Sequence, residues 1–316
     1  MKSLIQLKHG ISVVDAHYVQ AGVACIYLIK QGNQASIIET GTSYSVPYIL
    51  SALEALDVTL DNVKYIIPTH IHLDHAAGAG ELMQQCPNAE LVIHPRGAAH
   101  MVNPEKLEAG TIAVYGEEKY KKLYGSLIPI DENRMIIAED NFTLDFNGRP
   151  LRFLHTPGHA LHHFCIFDEM SQGIFTGDTF GLSYKTIKSD TDEFIFATTT
   201  PVHFDPEAMI ESIDRLMSLK PKVMYLTHFA EIEPTETVVK QLKDSVHVFV
   251  EIARKHQAKK EGRVEAIEQD IINWLVAQVL AMNDQLNEKQ IKSLLRGDSQ
   301  LNAQGIEVWL KRQERN

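Results

Sequence analysis

Over roughly the first 230 residues, apolar positions recur in short runs rich in β-branched side chains and bounded by Gly, Asn or Pro, which is the pattern of strands. An early set comprises "VACIYLIK" (23–30), "QASIIET" (34–40), "VKYIIPT" (63–69) and "AELVIHP" (89–95). A later set comprises "LRFLHTP" (151–157), "HFCIFDE" (163–169), "QGIFTGD" (172–178) and "KVMYLTH" (222–228). Between the early runs, "VPYILSALEALDV" (46–58) repeats its apolar positions with helical spacing, so strands alternate with helices and an α/β class is expected. "DPEAMIESIDRLMSL" (205–219) predicts a helix with Asp205 as N-cap and Pro206 at its first position; Pro221 marks its end.

Beyond Pro234 the strand pattern stops. "TETVVKQLKDSVHVFVEIARKHQAKK" and "RVEAIEQDIINWLVAQVLAMN" carry helical periodicity with more charge. The expected organisation is an α/β domain over 1–234 and a helical extension over 235–316. Ile271, Ile272, Trp274, Leu275, Val279 and Leu280 are too many apolar residues for a solvated tail, so these helices are expected to pack against the domain, over its pocket or in a homodimer interface. The basic run "ARKHQAKKEGR" reads as a solvated helix end.

Composition narrows the partners. The 316 residues are 44% hydrophobic, enough for one large core, and 30 Lys and Arg against 41 Asp and Glu leave a net charge of -11. That field opposes nucleic acid and anionic membranes and leaves a small molecule as the expected partner. Cys25, Cys86 and Cys165 sit in apolar segments without metal-type spacing and read as buried free thiols of a reducing compartment. With no apolar run of signal-peptide or membrane-spanning length, a cytoplasmic location is expected.

The chemistry concentrates in "THIHLDHAAG" (69–78), directly after an apolar run. A strand ending at Thr69 delivers His70, His72, Asp74 and His75 to a tight turn leading into a helix, and imidazole nitrogens and carboxylate oxygens are the ligands borderline divalent ions prefer. His70 and His72 lie on one side of an extended segment, while Asp74 and His75 follow the bend. The four donors therefore suit two adjacent ions better than one. Further donors stand at the ends of later strands: His159 in "HTPGHA", Asp178 in "FTGDTF" and His228 in "YLTHF". His155, His162, His163 and His203 read as packing or supporting histidines.

In this order the motifs "THIHLDH", "HTPGH", "TGDTF" and "LTH" resemble the metallo-β-lactamase-fold hydrolase superfamily over residues 10–230 or so. The resemblance implies an αββα sandwich with a dinuclear metal site at one edge of its two sheets. Position by position it implies His70, His72 and His159 on one ion, Asp74, His75 and His228 on the other, and Asp178 bridging them. Asp178 stands where the secreted antibiotic-hydrolysing branch carries a cysteine, and His72 stands where flavodiiron relatives carry a glutamate. The chain is closer in pattern to glyoxalase II enzymes, quorum-signal lactonases and the alkylquinolone-pathway thioesterase, the last of which it also resembles in length and in a helical C-terminal extension.

A hydrolase of a thioester, ester or lactone is the expected function. Two divalent ions, zinc in the first place and iron or manganese as alternatives, would lower the pKa of a water held between them and polarise the substrate carbonyl; Asp74 and Asp178 are the catalytic carboxylates of this scheme. Asp74 doubles as ligand and proton acceptor. Ser183 and Tyr184 in "GLSYK" are candidate donors to the substrate, and "FATTTPVHF" (196–204) is a candidate wall. The helix expected at "YGEEKYKKLYG" (115–125) is a candidate cap. The same metal pair would serve a phosphodiesterase or nuclease, and a regulatory binding protein with a residual hydrolase site is a third possibility.

Overall fold

The computed structural model describes residues 4–187, 193–199 and 202–315. Their contacts divide them into two compact units, the first made of the described residues within 4–155, 162–177 and 227–230 and the second of those within 156–161, 178–226 and 231–315.

The first unit carries two sheets. Strands β1 (Leu4–Gln6), β2 (Ile11–Asp15), β3 (Cys25–Gln31) and β4 (Gln34–Ile38) form an antiparallel meander. Helix α1 (Val46–Ala55) then leads to β5 (Val63–Ile67), parallel to β4. Short helices α2 (Leu73–Ala76) and α3 (Ala79–Gln85) lead to β6 (Glu90–Ile93). Helices α4 (Pro95–Val102), α5 (Glu105–Tyr115) and α6 (Glu117–Tyr124) precede β7 (Met135–Ile137), and β5, β6 and β7 pair in parallel. Parallel neighbours need such helical crossovers, which is why helical and β-branched patterns alternate here. The second sheet of this unit is antiparallel, in the order β8 (Thr143–Asp145), β9 (Pro150–His155), β10 (Phe164–Asp168), β11 (Gly173–Gly177).

All five residues of β10 and of β11 are buried, so these strands are covered on both faces. The two sheets pack on one another: the Tyr27 ring of β3 meets Phe175 of β11 edge-on at 5.1 Å between centroids. Arg149, fixed by a buried ion pair within the second sheet, reaches the first as well. Arg149 donates from Nε and Nη2 to the two carboxylate oxygens of Asp168, at 2.8 and 2.6 Å, and from Nη1 to the His9 carbonyl at 2.6 Å. The α1 face buries Val46, Ile49, Ala52 and Leu53 in the same core as Ile26, Leu28, Ile37 and Ile66. This mixed sheet pair with flanking helices is the α/β sandwich expected.

In the second unit α7 (Pro206–Ser218) begins as expected, with the Asp205 side chain accepting from Ala208 N–H and Pro206 at the first position. Strands β12 (Val223–Leu226) and β13 (Ala230–Ile232) follow. The C-terminal region is helical throughout, in α8 (Glu236–His256), α9 (Arg263–Met282) and α10 (Glu288–Gln313). Ile271, Ile272, Leu275 and Val279 are buried as their pattern demands, and Trp274 is half-buried with its ring edge-on to Phe249 of α8. Leu280, grouped with them from the sequence, is instead exposed, because it falls on the outer face of α9. Among the described residues no helix is long and apolar enough to cross a membrane. The three cysteines form no disulfide and are buried, and burial pushes the Cys86 thiol up to about 11.

His94 closes β6 and caps α4 by accepting from Arg96 N–H through Nδ1 at 3.1 Å, while its ring packs on His155 at 4.0 Å. Burial first, then the neighbouring His155 and Arg96, lower its pKa to about 4. The unfolded chain would take up this proton near 6.5, so between about pH 6.5 and 4 the unfolded state holds more protons and stability falls with acidification. In chelator-treated protein, His94→Asn keeps a cap acceptor and removes the titration. Its urea midpoint should fall less than wild type's between pH 7 and 5. Parallel pH profiles would show that His94 carries none of the acid sensitivity.

Candidate metal centre

After β5 the chain runs through Pro68 to Thr69 and His70, both fully buried, and bends at His72, whose extended backbone opens α2. One turn of helix then carries Asp74 and His75. Both Thr40 N–H and Thr40 Oγ1 donate to the His75 carbonyl at 2.8 Å, pinning that turn to the residues after β4. Thr69 C=O accepts from Phe164 N–H at 3.0 Å. Gly177, at φ +48°, ends β11 against this loop: a Cβ there would stand 2.4 Å from Thr69 Oγ1 and 2.5 Å from His163 Nε2.

Asp74, His75 and His228 converge within the first unit. Asp74 Oδ2 lies 3.6 Å from His75 Nε2 and 3.6 Å from His228 Nε2. Ligand atoms about 2.1 Å from a tetrahedral zinc-type ion stand about 3.4 Å apart, so the spacing fits a divalent cation. The tautomers fit as well. His75 Nδ1 donates to Glu39 Oε1 at 3.0 Å and His228 Nδ1 donates to the Val23 carbonyl at 2.9 Å, which leaves the Nε2 lone pair of each ring toward Asp74.

His70 and His72 also face one another, with Nε2 of the first 2.8 Å from Nδ1 of the second. Thr69 Oγ1 has one proton and gives it to Glu39 Oε1 at 2.6 Å, so its 3.1 Å contact with His70 Nδ1 has the imidazole donating. His70 Nε2 is therefore the lone-pair nitrogen, as a ligand requires.

Glu39 is the residue that sequence reasoning missed. It is 1% exposed, holds a positive φ of 66°, and its carboxylate accepts from Thr69 N–H, Thr69 Oγ1, His75 Nδ1 and Thr227 Oγ1. One carboxylate thus orients the His75 ring and holds Thr69 and Thr227, the residues directly before His70 and His228. Its only sequence signal is an acid directly after the apolar run "ASII".

In the second unit His159 and Asp178 face one another, Nε2 to Oδ2 at 3.3 Å, again the spacing of neighbouring ligands. Gly158 shapes the turn into His159: at φ +127°, any Cβ would stand 2.4 Å from the Met209 backbone of α7. Asp205 N–H donates to Gly158 C=O at 2.8 Å, and Ser212 Oγ donates to Pro157 C=O at 2.6 Å. His159 Nδ1 points to the Thr198 carbonyl at 3.4 Å, so its Nε2 is the lone-pair nitrogen toward Asp178.

Ser183 and Tyr184 are buried, and the Tyr184 hydroxyl donates to Asp298 of α10 at 3.0 Å. The wall read at 196–204 lies partly outside the described residues, at Thr200 and Pro201. The helix read over 115–125 breaks at Gly116, with φ 81°, and only α6 buries its tyrosines, Tyr120 and Tyr124. Together with Tyr18 and Tyr115 these rings form a cluster around Leu73 and Ala77, beside Asp74. Burial pushes the Tyr115 hydroxyl pKa up, and the Asp74 charge adds to it.

The sequence profile of the metallo-beta-lactamase superfamily matches residues 21–228. This chain belongs to that superfamily. It is 28% identical over 250 residues to the metallo-beta-lactamase fold-containing protein ST1585 of Sulfurisphaera tokodaii, covering 75% of this chain and 88% of that one. The crystal structure of ST1585 superposes with a TM-score of 0.64 over 95% of this chain and 99% of that one, at 23% identity, which extends the likeness of fold across the C-terminal helices. A hydroxyacylglutathione hydrolase of Tolumonas auensis is 25% identical over 240 residues, 75% of this chain and 73% of its own length. An atrochrysone carboxyl ACP thioesterase of Passalora fulva is 26% identical over 212 residues, 66% of this chain and 48% of its own length. Hydrolases are thus among the relatives of this superfamily member, and its His and Asp groups are suited to binding metal.

Proposed function

We propose that the protein is a dinuclear metal-dependent hydrolase of a small carbonyl substrate, a thioester, ester or lactone. The observation that carries this reading is the Asp74, His75, His228 cluster, whose imidazoles have Nδ1 committed to Glu39 and Val23 and Nε2 turned to a shared point. Membership of the superfamily supports assigning His70, His72 and His159 to one ion, Asp74, His75 and His228 to the second, and the bridge to Asp178. Zinc is the first choice for such nitrogen and oxygen donors, with iron or manganese compatible.

A pair of divalent ions supplies a water of lowered pKa and a Lewis acid for the substrate carbonyl oxygen. The chain supplies the rest. Glu39 holds the His75 ring in one tautomer and orientation, so its Nε2 lone pair needs no reorganisation to act. Asp74, with its side chain 21% exposed against none for His75, is the carboxylate of its cluster that substrate and water reach, and it is the proton acceptor when the tetrahedral carbon forms. The tyrosine cluster beside Asp74 offers an apolar wall for the acyl arm. Ser183 is the remaining candidate for a donor to the substrate.

Thioesterase and glyoxalase-type relatives favour thioesters, and the net charge of -11 disfavours nucleic acid. The test is a turnover panel of acyl thioesters, aryl esters, lactones and phosphodiesters with metal-loaded protein. Hydrolysis of one carbonyl class, abolished by chelator and restored by metal, is expected. Turnover of phosphodiesters alone would replace this reading with the phosphodiesterase one.

A further inference from the structure

Residues 195–199 are buried throughout and carry one antiparallel bridge, Phe196 to Leu182, and the backbone groups of alternate residues are served by different parts of the second unit. Along an extended chain, alternate residues direct N–H and C=O to opposite sides. On one side, Phe196 exchanges both backbone hydrogen bonds with Leu182, at 2.9 and 3.2 Å, and Leu182 is four residues beyond Asp178. Thr198 C=O on that same side faces His159 Nδ1.

The opposite side has no strand partner among the described residues and is satisfied by helix side chains instead. Ile195 N–H donates to Gln241 Oε1 of α8 at 3.0 Å, and Ala197 N–H donates to Ser245 Oγ of α8 at 2.8 Å. Thr199 N–H donates to Asn302 Oδ1 of α10 at 2.6 Å. Asn302 Nδ2 returns a bond to the Ala197 carbonyl at 3.3 Å, and Thr199 Oγ1 donates to the Asn302 carbonyl at 3.0 Å. Ser245 and Asn302 are at most 1% exposed, and polar side chains this deep in a helical layer persist because the groups they satisfy would otherwise be unpaired.

We infer that Gln241, Ser245 and Asn302 are positioning residues through which α8 and α10 fix the orientation of His159 and the path of the loop after Asp178, and so set the metal affinity of that half of the centre. The C-terminal helices then act on the site through the 195–199 backbone, whether or not they restrict substrate entry. This inference rests on the proposal that His159 and Asp178 are metal ligands.

Full-length apoprotein is titrated with Co(II) against a competing chelator while the visible ligand-field bands are recorded. His159→Ala first tests the underlying assignment: unchanged Co(II) binding would remove His159 as a ligand, and the inference with it. With that arm positive, Asn302→Ala should weaken one Co(II) equivalent by about 10- to 100-fold, the usual scale for partners that orient a ligand, and shift its bands. Ser245→Ala, a milder deletion that tests the same segment if Asn302→Ala does not fold, should do so to a smaller degree. Arg263→Met breaks the Arg263–Glu307 pair at 2.7 and 2.9 Å, which holds α9 to α10 without touching the segment. It should lower the melting temperature and leave Co(II) affinity and bands as in wild type. Wild-type Co(II) binding in Asn302→Ala and Ser245→Ala, or an equal loss in Arg263→Met, would overturn the inference.

Discussion

Asp178→Ala is expected to lower turnover by roughly 10³-fold or more while changing unfolding free energy by about 1 kcal/mol or less. In the proposed centre this carboxylate would be shared by both ions, so its loss would disturb their separation and the charge available to a developing oxyanion. Asp178 stands 3.3 Å from His159 and is 5% exposed, and alanine introduces neither bulk nor an unpaired charge. Matched urea curves with metal-free protein, set beside turnover of the substrate found in the panel, separate the two effects. Near-normal turnover with two ions retained per chain would remove Asp178 from the bridging role.

The largest stability effect is expected far from the chemistry, at Arg149. Both partners of the Arg149–Asp168 pair have fully buried side chains, and the pair is bidentate. Arg149→Ala leaves the Asp168 carboxylate buried without its counter-charge and the His9 carbonyl without its donor, a loss of about 3–5 kcal/mol. The double variant Arg149→Met with Asp168→Asn should recover a large part of that loss, because buried pairs replaced by neutral groups of similar volume often cost little. Denaturant midpoints measure both. A single variant within about 1 kcal/mol of wild type would show that the sheets do not depend on this clamp.

Much of the fold was readable because the information is local. Each strand run read from the sequence lies on a strand of the structure, for example "HFCIFDE" on Phe164–Asp168, since β-branched and aromatic runs bounded by breakers need no distant partner to be seen. The three-residue strands at 4–6, 135–137, 143–145 and 230–232 were not read, because three residues carry no period and their pairing depends on neighbours distant in sequence. Gly116 stands inside the helix read over 115–125 and starts it at Glu117 instead, and a positive φ is invisible to periodicity.

The candidate centre shows the same division. Histidines and aspartates just after apolar runs stood out because that position is unusual for such side chains, and Asp74, His75 and His228 do come together although His228 is 154 residues from Asp74. Glu39 did not stand out, since a lone acid after a strand is ordinary and its four acceptor contacts come from residues 69, 75 and 227. Tyr184 reads from the sequence as a candidate donor to the substrate, yet its hydroxyl is engaged by Asp298 on a helix 114 residues away. Side chains of α8 and α10 that grip 195–199 looked like ordinary polar positions on amphipathic helices.

The most direct test of the central claim is an elemental and kinetic titration of the apoprotein with zinc. Saturation at two ions per chain is expected, with hydrolysis of a thioester, ester or lactone rising as the second ion binds. Saturation at one ion or none, or carbonyl hydrolysis indifferent to metal, would contradict that claim.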